Sequence, residues 1–315
     1  MPAIAYLNGK FLDFEDALIP IEERGHQFGD GVYEVVRVYS GRPFLLDWHL
    51  ERLERSLAAV AIQNPLTYDE WVELIGEAIR RSQEAEAIVY WQVTRGIAVR
   101  NHAFPSTQAS VSLTVRPAPP SANQPKTSVS LFALPDERWA NAYVKSINLL
   151  PNVLAKESAH KAGAFEALLV REGIITEGSS SNVWFVREGK LFTHPRDRYI
   201  LPGITRQFVL NLADSIGMKV VERAISLADL SSAEAVFLTG TTTEIQPVNE
   251  IFTDRAVSAE LSKLPPNPKP LLVRDVLQRE VLWSTSGPHE LVEDLQHACQ
   301  MAIDRFRLYE APLPN

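Results

Sequence analysis

A proline-dense stretch near the middle of the chain divides it into two halves. Residues 117–125 read Pro-Ala-Pro-Pro-Ser-Ala-Asn-Gln-Pro. Because proline lacks the backbone donor that a helix interior or a central strand requires, this stretch can continue neither element. The sequence therefore predicts an N-terminal domain over residues 1–117, a linker over 118–125 and a C-terminal domain over 126–315.

Both halves contain strand and helix signals. In the first half, the Val- and Tyr-rich residues 32–39 predict a strand, and a leucine stripe over residues 50–57 predicts a helix. In the second half, predicted helices at about residues 151–162 and 205–216 alternate with short apolar strands. We therefore expect an α/β protein of two domains, with an α+β N-terminal domain.

Composition excludes several classes of function. The 315 residues are 45% hydrophobic, which is enough for a sizeable core, and the net charge of −8 would repel nucleic-acid phosphates and anionic membranes. The single cysteine permits no internal disulfide, and the seven histidines show no zinc-site spacing. No Gly-x-Gly-x-x-Gly, Walker A or Gly-x-Ser-x-Gly motif, membrane-spanning run or secretory signal is evident. We expect a cytoplasmic protein that binds no metal, nucleic acid or membrane.

Lys145 is the first candidate for chemistry. If residues 143–149 form a strand, Lys145 shares one face with Tyr143, Ile147 and Leu149. Lysine is rarely buried without a function or a partner, and desolvation would lower its pKa and free the amine to attack a carbonyl. A lysine that extends to solvent at a strand edge gives the same pattern, so this segment alone leaves both interpretations open.

Two glycine-containing segments could hold a phosphate group. Gly203-Ile204-Thr205 precedes a predicted helix, whose free N–H groups and dipole suit an anion. Gly240-Thr241-Thr242-Thr243 follows a short apolar strand and offers similar donors. Ordinary helix capping and turn formation explain each segment equally well when it is considered alone.

Three further polar positions are candidates only in combination. Glu177 precedes a serine-rich turn and reads alone as a solvated glutamate. Arg52 lies next to the leucine stripe of its helix, where it could point inward or pair with a surface glutamate. Arg100 and His102 could together hold a carboxylate, although an exposed basic loop has the same composition.

Taken together, these segments resemble one family, the class IV D-amino-acid aminotransferases. The resemblance extends roughly from Ala5 to Pro247 and keeps the family's order. It rests on Glu23-Arg24-Gly25-His26-Gln27-Phe28-Gly29-Asp30-Gly31, on Gln92-Val93-Thr94-Arg95-Gly96 with Arg100 and His102, on Lys145-Ser146-Ile147-Asn148, on Thr176-Glu177-Gly178-Ser179-Ser180-Ser181-Asn182, on Leu201-Pro202-Gly203-Ile204-Thr205-Arg206, and on Thr239-Gly240-Thr241-Thr242-Thr243-Glu244.

The resemblance implies a pyridoxal 5'-phosphate (PLP) enzyme of fold type IV. Such an enzyme is a homodimer whose two domains hold the cofactor between them. Lys145 would form the Schiff base and then carry the proton between the substrate Cα and the cofactor carbon C4′. Glu177 would pair with the pyridine nitrogen, and Leu201 would lie behind the ring.

The resemblance also assigns the two ends of the site. The phosphate would be held by five residues, of which the isoleucine and glycine use only their backbone: Arg52, Ile204, Thr205, Gly240 and Thr241. The substrate α-carboxylate would be held by Tyr33, Arg100 and His102. Gly240 departs from the family, which carries a serine hydroxyl near the phosphate at this position.

The implied reaction is transamination between a D-amino acid, such as D-alanine or D-glutamate, and a 2-oxo acid, such as 2-oxoglutarate or pyruvate. The alternatives are a branched-chain L-amino-acid transaminase, an (R)-amine transaminase and an aminodeoxychorismate lyase, which share Lys145 and Glu177. Arg100 with His102 favours D-amino acids. A binding protein that kept the fold without catalysis is a further alternative, which the retention of Lys145 and Glu177 disfavours.

The resemblance fades beyond Val248. The segment from about residue 252 to 288 is therefore predicted to be an insertion of unknown purpose, with a proline-rich loop and an amphipathic helix at about Leu271–Trp283.

Overall fold

The computed structural model describes residues 4–118, 126–263 and 278–308. Within these ranges the chain divides into two compact units. Unit 1 comprises residues 4–118, 144–148 and 303–308, and unit 2 comprises residues 126–143, 149–263 and 278–302. The predicted linker, except for Ala118, lies outside the described residues, so the proposed domain boundary stays a prediction.

Unit 1 is built on a six-stranded antiparallel sheet with the order β2-β1-β6-β5-β3-β4. The strands are β1 (Ile4–Leu7), β2 (Lys10–Leu12), β3 (Gly31–Tyr39), β4 (Arg42–Pro43), β5 (Ala87–Thr94) and β6 (Ser110–Pro117). The helices are α1 (Arg24–Phe28), α2 (Leu46–Ala59) and α3 (Tyr68–Ser82).

The core of unit 1 follows the two periodicities of its sequence. Strand β5 buries alternate residues, and Trp91 on its inner face lies 6.2 Å, centroid to centroid, from Trp71 of α3. Helix α3 begins at a capping box in which Thr67 and Glu70 satisfy each other's backbone N–H groups. Helix α2 buries Leu50, Leu53 and Leu57, the stripe that predicted it.

Unit 2 is built on a larger mixed sheet with the order β12-β11-β10-β14-β15-β7-β8-β9-β13, in which β16 also pairs with β15. Its strands are β7 (Val129–Pro135), β8 (Glu166–Arg171), β9 (Ile174–Gly178), β10 (Asn182–Arg187), β11 (Lys190–Thr193), β12 (Val220–Glu222), β13 (Ile225–Ser226), β14 (Ala235–Gly240), β15 (Glu244–Asp254) and β16 (Arg279–Ser284). Its helices are α4 (Leu150–Lys161), α5 (Ile204–Ser215), α6 (Arg255–Ser262) and the first part of α7 (Glu290–Leu308), with a 3-10 turn at Ala228–Ser232.

The central strands of unit 2 are covered on both faces. Strands β8, β10 and β14 bury five consecutive residues each, as expected for strands inside a layered α/β sheet. Phe132 of β7 and Phe252 of β15 pack with their ring centroids 5.4 Å apart. This sheet places the polar ends of β9, β10 and β14 near one another, and the candidate residues lie there.

Two local predictions were wrong. The described part of the helix predicted over Leu271–Trp283 is strand β16, because it forms a ladder with β15 that joins residues distant in the sequence; residues 271–277 lie outside the described residues. The segment around Lys145 is not a regular strand but an extended stretch with one bridge, Val32 to Ser146. Val144 and Ser146 are buried there, whereas Lys145 is half-buried, so the lysine is not on the buried face.

Candidate active site

In unit 1 the extended segment that carries Lys145 is fixed by backbone hydrogen bonds to β3. Tyr33 N donates to Lys145 O at 2.9 Å, and Ile147 N donates to Gly31 O at 3.1 Å. The backbone N–H of Lys145 also donates to Ser56 Oγ of α2 at 3.3 Å. The lysine therefore has a fixed backbone although it belongs to no regular element.

The structure brings Lys145 together with Tyr33, another predicted site residue. Lys145 Nζ lies 4.2 Å from the centroid of the Tyr33 ring. The Tyr33 ring in turn packs on Tyr90 at 5.7 Å between centroids, and burial raises the pKa of Tyr90 to about 12. The amine of Lys145 therefore lies against the ring of a second predicted site residue.

Arg52 is buried in an ion-pair cluster that sequence reasoning missed. Its Nε and Nη2 atoms donate to the two oxygens of Glu34, each at 2.8 Å, and His49 Nδ1 lies 2.7 Å from Glu34 Oε2. Burial alone would raise the pKa of Glu34, but the charge and hydrogen bonds of Arg52, with His49, lower it to about 2. Burial lowers the pKa of His49 against the pull of Glu34. The sequence did contain a signal for this cluster, because Glu34 is a charged residue inside a Val-rich strand.

Arg100 and His102 both contact one aromatic ring, that of Phe28. The Arg100 guanidinium lies 4.9 Å from the centroid of the Phe28 ring, and the His102 and Phe28 ring centroids are 5.5 Å apart. Both side chains are exposed. Among residues 4–118, no hydrogen bond, ion pair or ring contact joins them to Tyr33. The structure therefore pairs two members of the predicted carboxylate trap and leaves the third separate.

In unit 2, Glu177 is a buried carboxylate at the end of β9. It forms an ion pair with Arg138, accepts a hydrogen bond from Asn182 Nδ2 at 2.9 Å, and accepts one from the backbone N–H of Leu201 at 3.1 Å. Burial raises the pKa of Glu177 to about 7, although the charge of Arg138 opposes this rise. Leu201 is thus fixed directly beside Glu177.

Arg138 is itself held by a second carboxylate. Asp136 accepts from Arg138 Nε and Nη2 at 2.9 Å, accepts from Thr176 Oγ1 at 3.0 Å, and lies 3.2 Å from Arg171 Nη2. Burial alone would raise the pKa of Asp136, but the hydrogen bonds and charge of Arg138 lower it. Sequence reasoning missed Arg138 and Asp136 because the partners are far from Glu177 in the chain.

A buried glutamate, Glu166, holds the serine turn after Glu177 by hydrogen bonds. Glu166 Oε1 accepts from the backbone N–H of Ser180 at 2.6 Å and from its hydroxyl at 3.1 Å. The hydroxyl of Ser181 also donates to this atom at 3.1 Å, and Asn152 Nδ2 donates to Ser179 O at 2.8 Å. The turn that follows Glu177 therefore has a defined conformation.

Both predicted phosphate segments lie against this turn. Gly203 is the N-cap of α5, and a Cβ built on it would lie 2.1 Å from Asn182 Oδ1, so only glycine fits there. A Cβ built on Gly240 would lie 3.8 Å from Ser181 Cβ. In unit 2 the first glycine of each predicted phosphate segment, Gly203 and Gly240, therefore lies next to the residues that follow Glu177.

The residues present fit PLP. The N-terminus of α5, with the hydroxyl of Thr205, offers donors for a phosphate, and a buried carboxylate at Glu177 suits a protonated ring nitrogen. Thr243 Oγ1 is buried and has no hydrogen-bond partner in the described part of the chain, which leaves a donor unused in the Gly240 segment. Lys145 supplies the amine that an aldehyde requires.

The described residues contain neither a candidate metal site nor a helix that could span a membrane. No group of three or more His, Cys, Asp or Glu side chains in them could hold a metal ion. No helix in these ranges is both long and apolar enough to cross a membrane.

Comparisons with known proteins identify the family of this chain. The sequence profile of amino-transferase class IV matches residues 31–251. The D-alanine aminotransferase of Bacillus licheniformis is 37% identical over 280 residues, which cover 89% of this chain and 97% of that protein. The D-alanine aminotransferase of Listeria monocytogenes serotype 1/2a is 39% identical over 249 residues, which cover 78% of this chain and 86% of that protein.

Solved structures confirm the predicted fold class. The branched-chain aminotransferase of Thermoproteus uzoniensis superposes with a TM-score of 0.76 at 24% identity, over 97% of this chain and 94% of that one. The branched-chain amino acid aminotransferase of Escherichia coli superposes with a TM-score of 0.71 at 25% identity, over 80% of this chain and 86% of that one. The family resemblance predicted from the motifs is therefore confirmed, and this chain belongs to the class IV aminotransferases.

Proposed function

We propose that this aminotransferase exchanges the amino group of a D-amino acid, such as D-alanine or D-glutamate, with the oxo group of a 2-oxo acid, such as 2-oxoglutarate or pyruvate. The observation that carries the proposal is the pairing of Arg100 and His102 on the Phe28 ring, since these two side chains suit a substrate carboxylate. The D-alanine aminotransferases that cover most of the chain support the same substrate class.

PLP supplies the electron sink that makes the substrate Cα–H acidic. Lys145 Nζ would take the proton from the substrate Cα and carry it to the cofactor carbon C4′ within the same half-reaction, so this amine would act as both nucleophile and general base. Hydrogen bonds to β3 fix the backbone of Lys145, and its amine contacts the Tyr33 ring. Glu177 holds the proton of the ring nitrogen, and Arg138, Asn182 and the Leu201 N–H orient its carboxylate.

The phosphate is held in this proposal by donors of three kinds. The first is the N-terminus of α5 at Ile204, the second is the hydroxyls of Thr205 and Thr241, and the third is the guanidinium of Arg52, which Glu34 orients by two hydrogen bonds. Gly240 contributes only through its backbone.

A homodimer is the second part of the proposal. Residues 18–22 and 97–104 of unit 1 are joined by a hydrogen bond from Ala98 N to Glu22 O. Leu18, Ile21 and Val99 on these segments are 75%, 80% and 75% exposed. An exposed apolar surface of this kind marks an association site, and the symmetric dimer is the commonest assembly. Sedimentation of an active monomer at assay concentration would contradict the proposed homodimer.

The cytoplasmic location, and the absence of nucleic-acid and membrane partners, stay predictions.

The substrate class is tested with purified protein in single half-reactions, followed by absorbance, against panels of D-amino acids, L-amino acids and (R)-amines. We expect D-alanine and D-glutamate to convert the cofactor to its amine form, and L-leucine to react far more slowly. A preference for L-leucine would replace the D-amino-acid assignment by the branched-chain one. A colourless protein that binds no PLP would favour a binding role without catalysis.

A further inference from the structure

Gly240 and Thr243 occupy the two ends of the short connection between β14 and β15. Strand β14 ends at Gly240 and β15 begins at Glu244, so three threonines form the turn. A Cβ built on Gly240 would lie 2.6 Å from Thr243 Oγ1, closer than such atoms approach. The threonine hydroxyl therefore fills the space that a side chain at residue 240 would need.

This hydroxyl is in an unusual state. Thr243 Oγ1 is buried, yet no hydrogen-bond partner for it exists in the described part of the chain. A buried hydroxyl without a partner is costly, so such an atom in a native protein calls for an explanation, and a ligand is one. The neighbouring atoms, Ser180 O and Ser181 Cβ, are each 3.8 Å from the same Cβ position and belong to the turn after Glu177.

The Thr243 backbone is held independently of its side chain. Lys126 Nζ donates a hydrogen bond to Thr243 O and lies 3.0 Å from Glu244 Oε2. This ammonium group fixes the end of the turn, and the Glu244 carboxylate balances its charge. The turn thus combines a fixed backbone with an unused, buried hydroxyl donor that a phosphate oxygen could accept.

We propose that Thr243 is a phosphate-binding residue of this enzyme and that its hydroxyl takes the place of the side chain that Gly240 lacks. The inference rests on the proposed phosphate role of the Gly240-Thr241 segment and assigns one more donor to it. It also explains why residue 240 is glycine, since any larger residue would displace the hydroxyl.

The test compares the binding of PLP with that of pyridoxal, which has the same ring and aldehyde but no phosphate. Apoprotein of the wild type, Thr243→Val and Thr243→Ser is titrated with each compound by absorbance. We expect Thr243→Val to raise the Kd for PLP about 10-fold or more, the usual effect of a lost hydrogen bond to a charged group, and to leave the Kd for pyridoxal unchanged. Thr243→Ser keeps the hydroxyl and should bind PLP as the wild type does.

The matched control is Thr242→Val, because Thr242 lies in the same turn but is exposed. This control should leave both dissociation constants unchanged. An unchanged ratio of the PLP and pyridoxal constants in Thr243→Val, or an equal loss in Thr242→Val, would overturn the inference. Failure of the wild-type apoprotein to bind PLP would instead overturn the proposed function.

If Thr243→Val does not fold, the same binding measurements are made on Gly240→Ala. Its Cβ must push the Thr243 hydroxyl aside, so it should weaken PLP binding and spare pyridoxal. The double variant Gly240→Ser with Thr243→Ala returns a hydroxyl to the same space from the other side and should restore tight PLP binding. Unaltered PLP binding in Gly240→Ala, or no recovery in the double variant relative to Thr243→Ala, would contradict the proposed role.

Discussion

The carboxylate of Glu177 forms an ion pair with the guanidinium of Arg138 inside unit 2, and both side chains are buried. Burial alone would lower the pKa of Arg138, but the charges of Glu177 and Asp136 raise it above its usual range, so this cation keeps its charge at every pH of interest. Glu177 is the group that can change, because burial raises its pKa to about 7. The ion pair therefore couples the stability of unit 2 to the protonation of one carboxyl group.

The first prediction concerns Arg138→Gln, measured as the free energy of unfolding of the apoprotein. Removing one partner of a buried ion pair costs about 3–5 kcal/mol, because the remaining charge stays buried. A group whose pKa is raised in the folded state contributes stability below its unfolded value and loses it as pH rises through the folded pKa. The free energy of unfolding that Arg138→Gln loses should therefore be larger at pH 8, where Glu177 is ionised, than below pH 7, where Glu177 is protonated. The exposed Arg198→Gln is the control, and a deficit independent of pH would contradict the coupling.

The second prediction concerns the Glu34–Arg52 pair in acid. Glu34 has its pKa lowered from 4.5 to about 2, so it contributes on the order of 3 kcal/mol of stability above pH 4.5, which is lost as pH falls towards 2. Glu34→Gln should be less stable than the wild type at pH 6, and the difference should narrow at lower pH. The control is Glu51→Gln, an exposed position next to Arg52 on α2, whose free energy of unfolding in urea should change with pH as that of the wild type does. If the free energy of unfolding of Glu34→Gln also changed with pH as that of the wild type does, the pKa of Glu34 would not be linked to stability.

The third prediction concerns Lys145. The yellow Schiff-base band of the holoenzyme should be lost in Lys145→Ala, because no covalent bond to the cofactor aldehyde can form, while the phosphate donors should still hold PLP noncovalently. Lys161→Ala, near the end of α4, should keep the colour. Borohydride reduction followed by peptide mapping locates the labelled lysine, and a label on any residue other than Lys145 would refute this assignment.

The fourth prediction concerns Glu177→Gln. A neutral amide stabilises a protonated ring nitrogen less than a carboxylate does, so the variant should bind PLP and react slowly. Because the loss falls on removal of the Cα proton, the isotope effect on kcat with D-alanine deuterated at Cα should increase. Glu172→Gln, exposed in the hairpin that precedes Glu177, should leave rate and isotope effect unchanged. Wild-type turnover in Glu177→Gln would mean that another group protonates the ring.

Elements that depend on local signals were predictable from the sequence. Gly203 before Ile204 indicated the start of α5, and the structure places its N-cap at Gly203. The leucine stripe of α2 and the apolar run of β14 were predicted for the same reason, since periodicity and glycine position are encoded within a few residues.

Features that depend on distant partners were not predictable. The Arg138–Glu177 ion pair joins residues 39 positions apart, and no spacing rule links them. Strand β16 pairs with β15, which lies well before it in the sequence. The hydrogen bonds of this ladder outweigh the helical pattern that the local sequence shows. The orientation of Lys145 also depends on the bridge between its neighbour Ser146 and Val32 of β3, which the local sequence does not encode.

The last prediction concerns stereochemistry and rests on Arg100. In the proposed enzyme its guanidinium holds the substrate α-carboxylate by two parallel donors, with further bonds from His102 and Tyr33. With the carboxylate fixed and Cα–H directed at Lys145, the side chain has one remaining direction, so one enantiomer is selected. Each charge-assisted hydrogen bond contributes about 1.5–3 kcal/mol, so Arg100→Ala should lower kcat/KM for D-alanine or D-glutamate roughly 10- to 100-fold or more.

Two comparisons separate this role from a structural one. Arg116→Ala removes another arginine of unit 1 that stacks on a phenylalanine, with its guanidinium 4.7 Å from the Phe14 ring centroid against 4.9 Å for Arg100 and Phe28, and it should leave kcat/KM unchanged. Reaction of Arg100→Ala with (R)-amines, which have no carboxylate, should fall far less than its reaction with D-amino acids. If Arg100→Ala keeps full D-amino-acid turnover, or loses amine and amino-acid turnover equally, the guanidinium does not hold the carboxylate and the selection of D substrates must arise elsewhere.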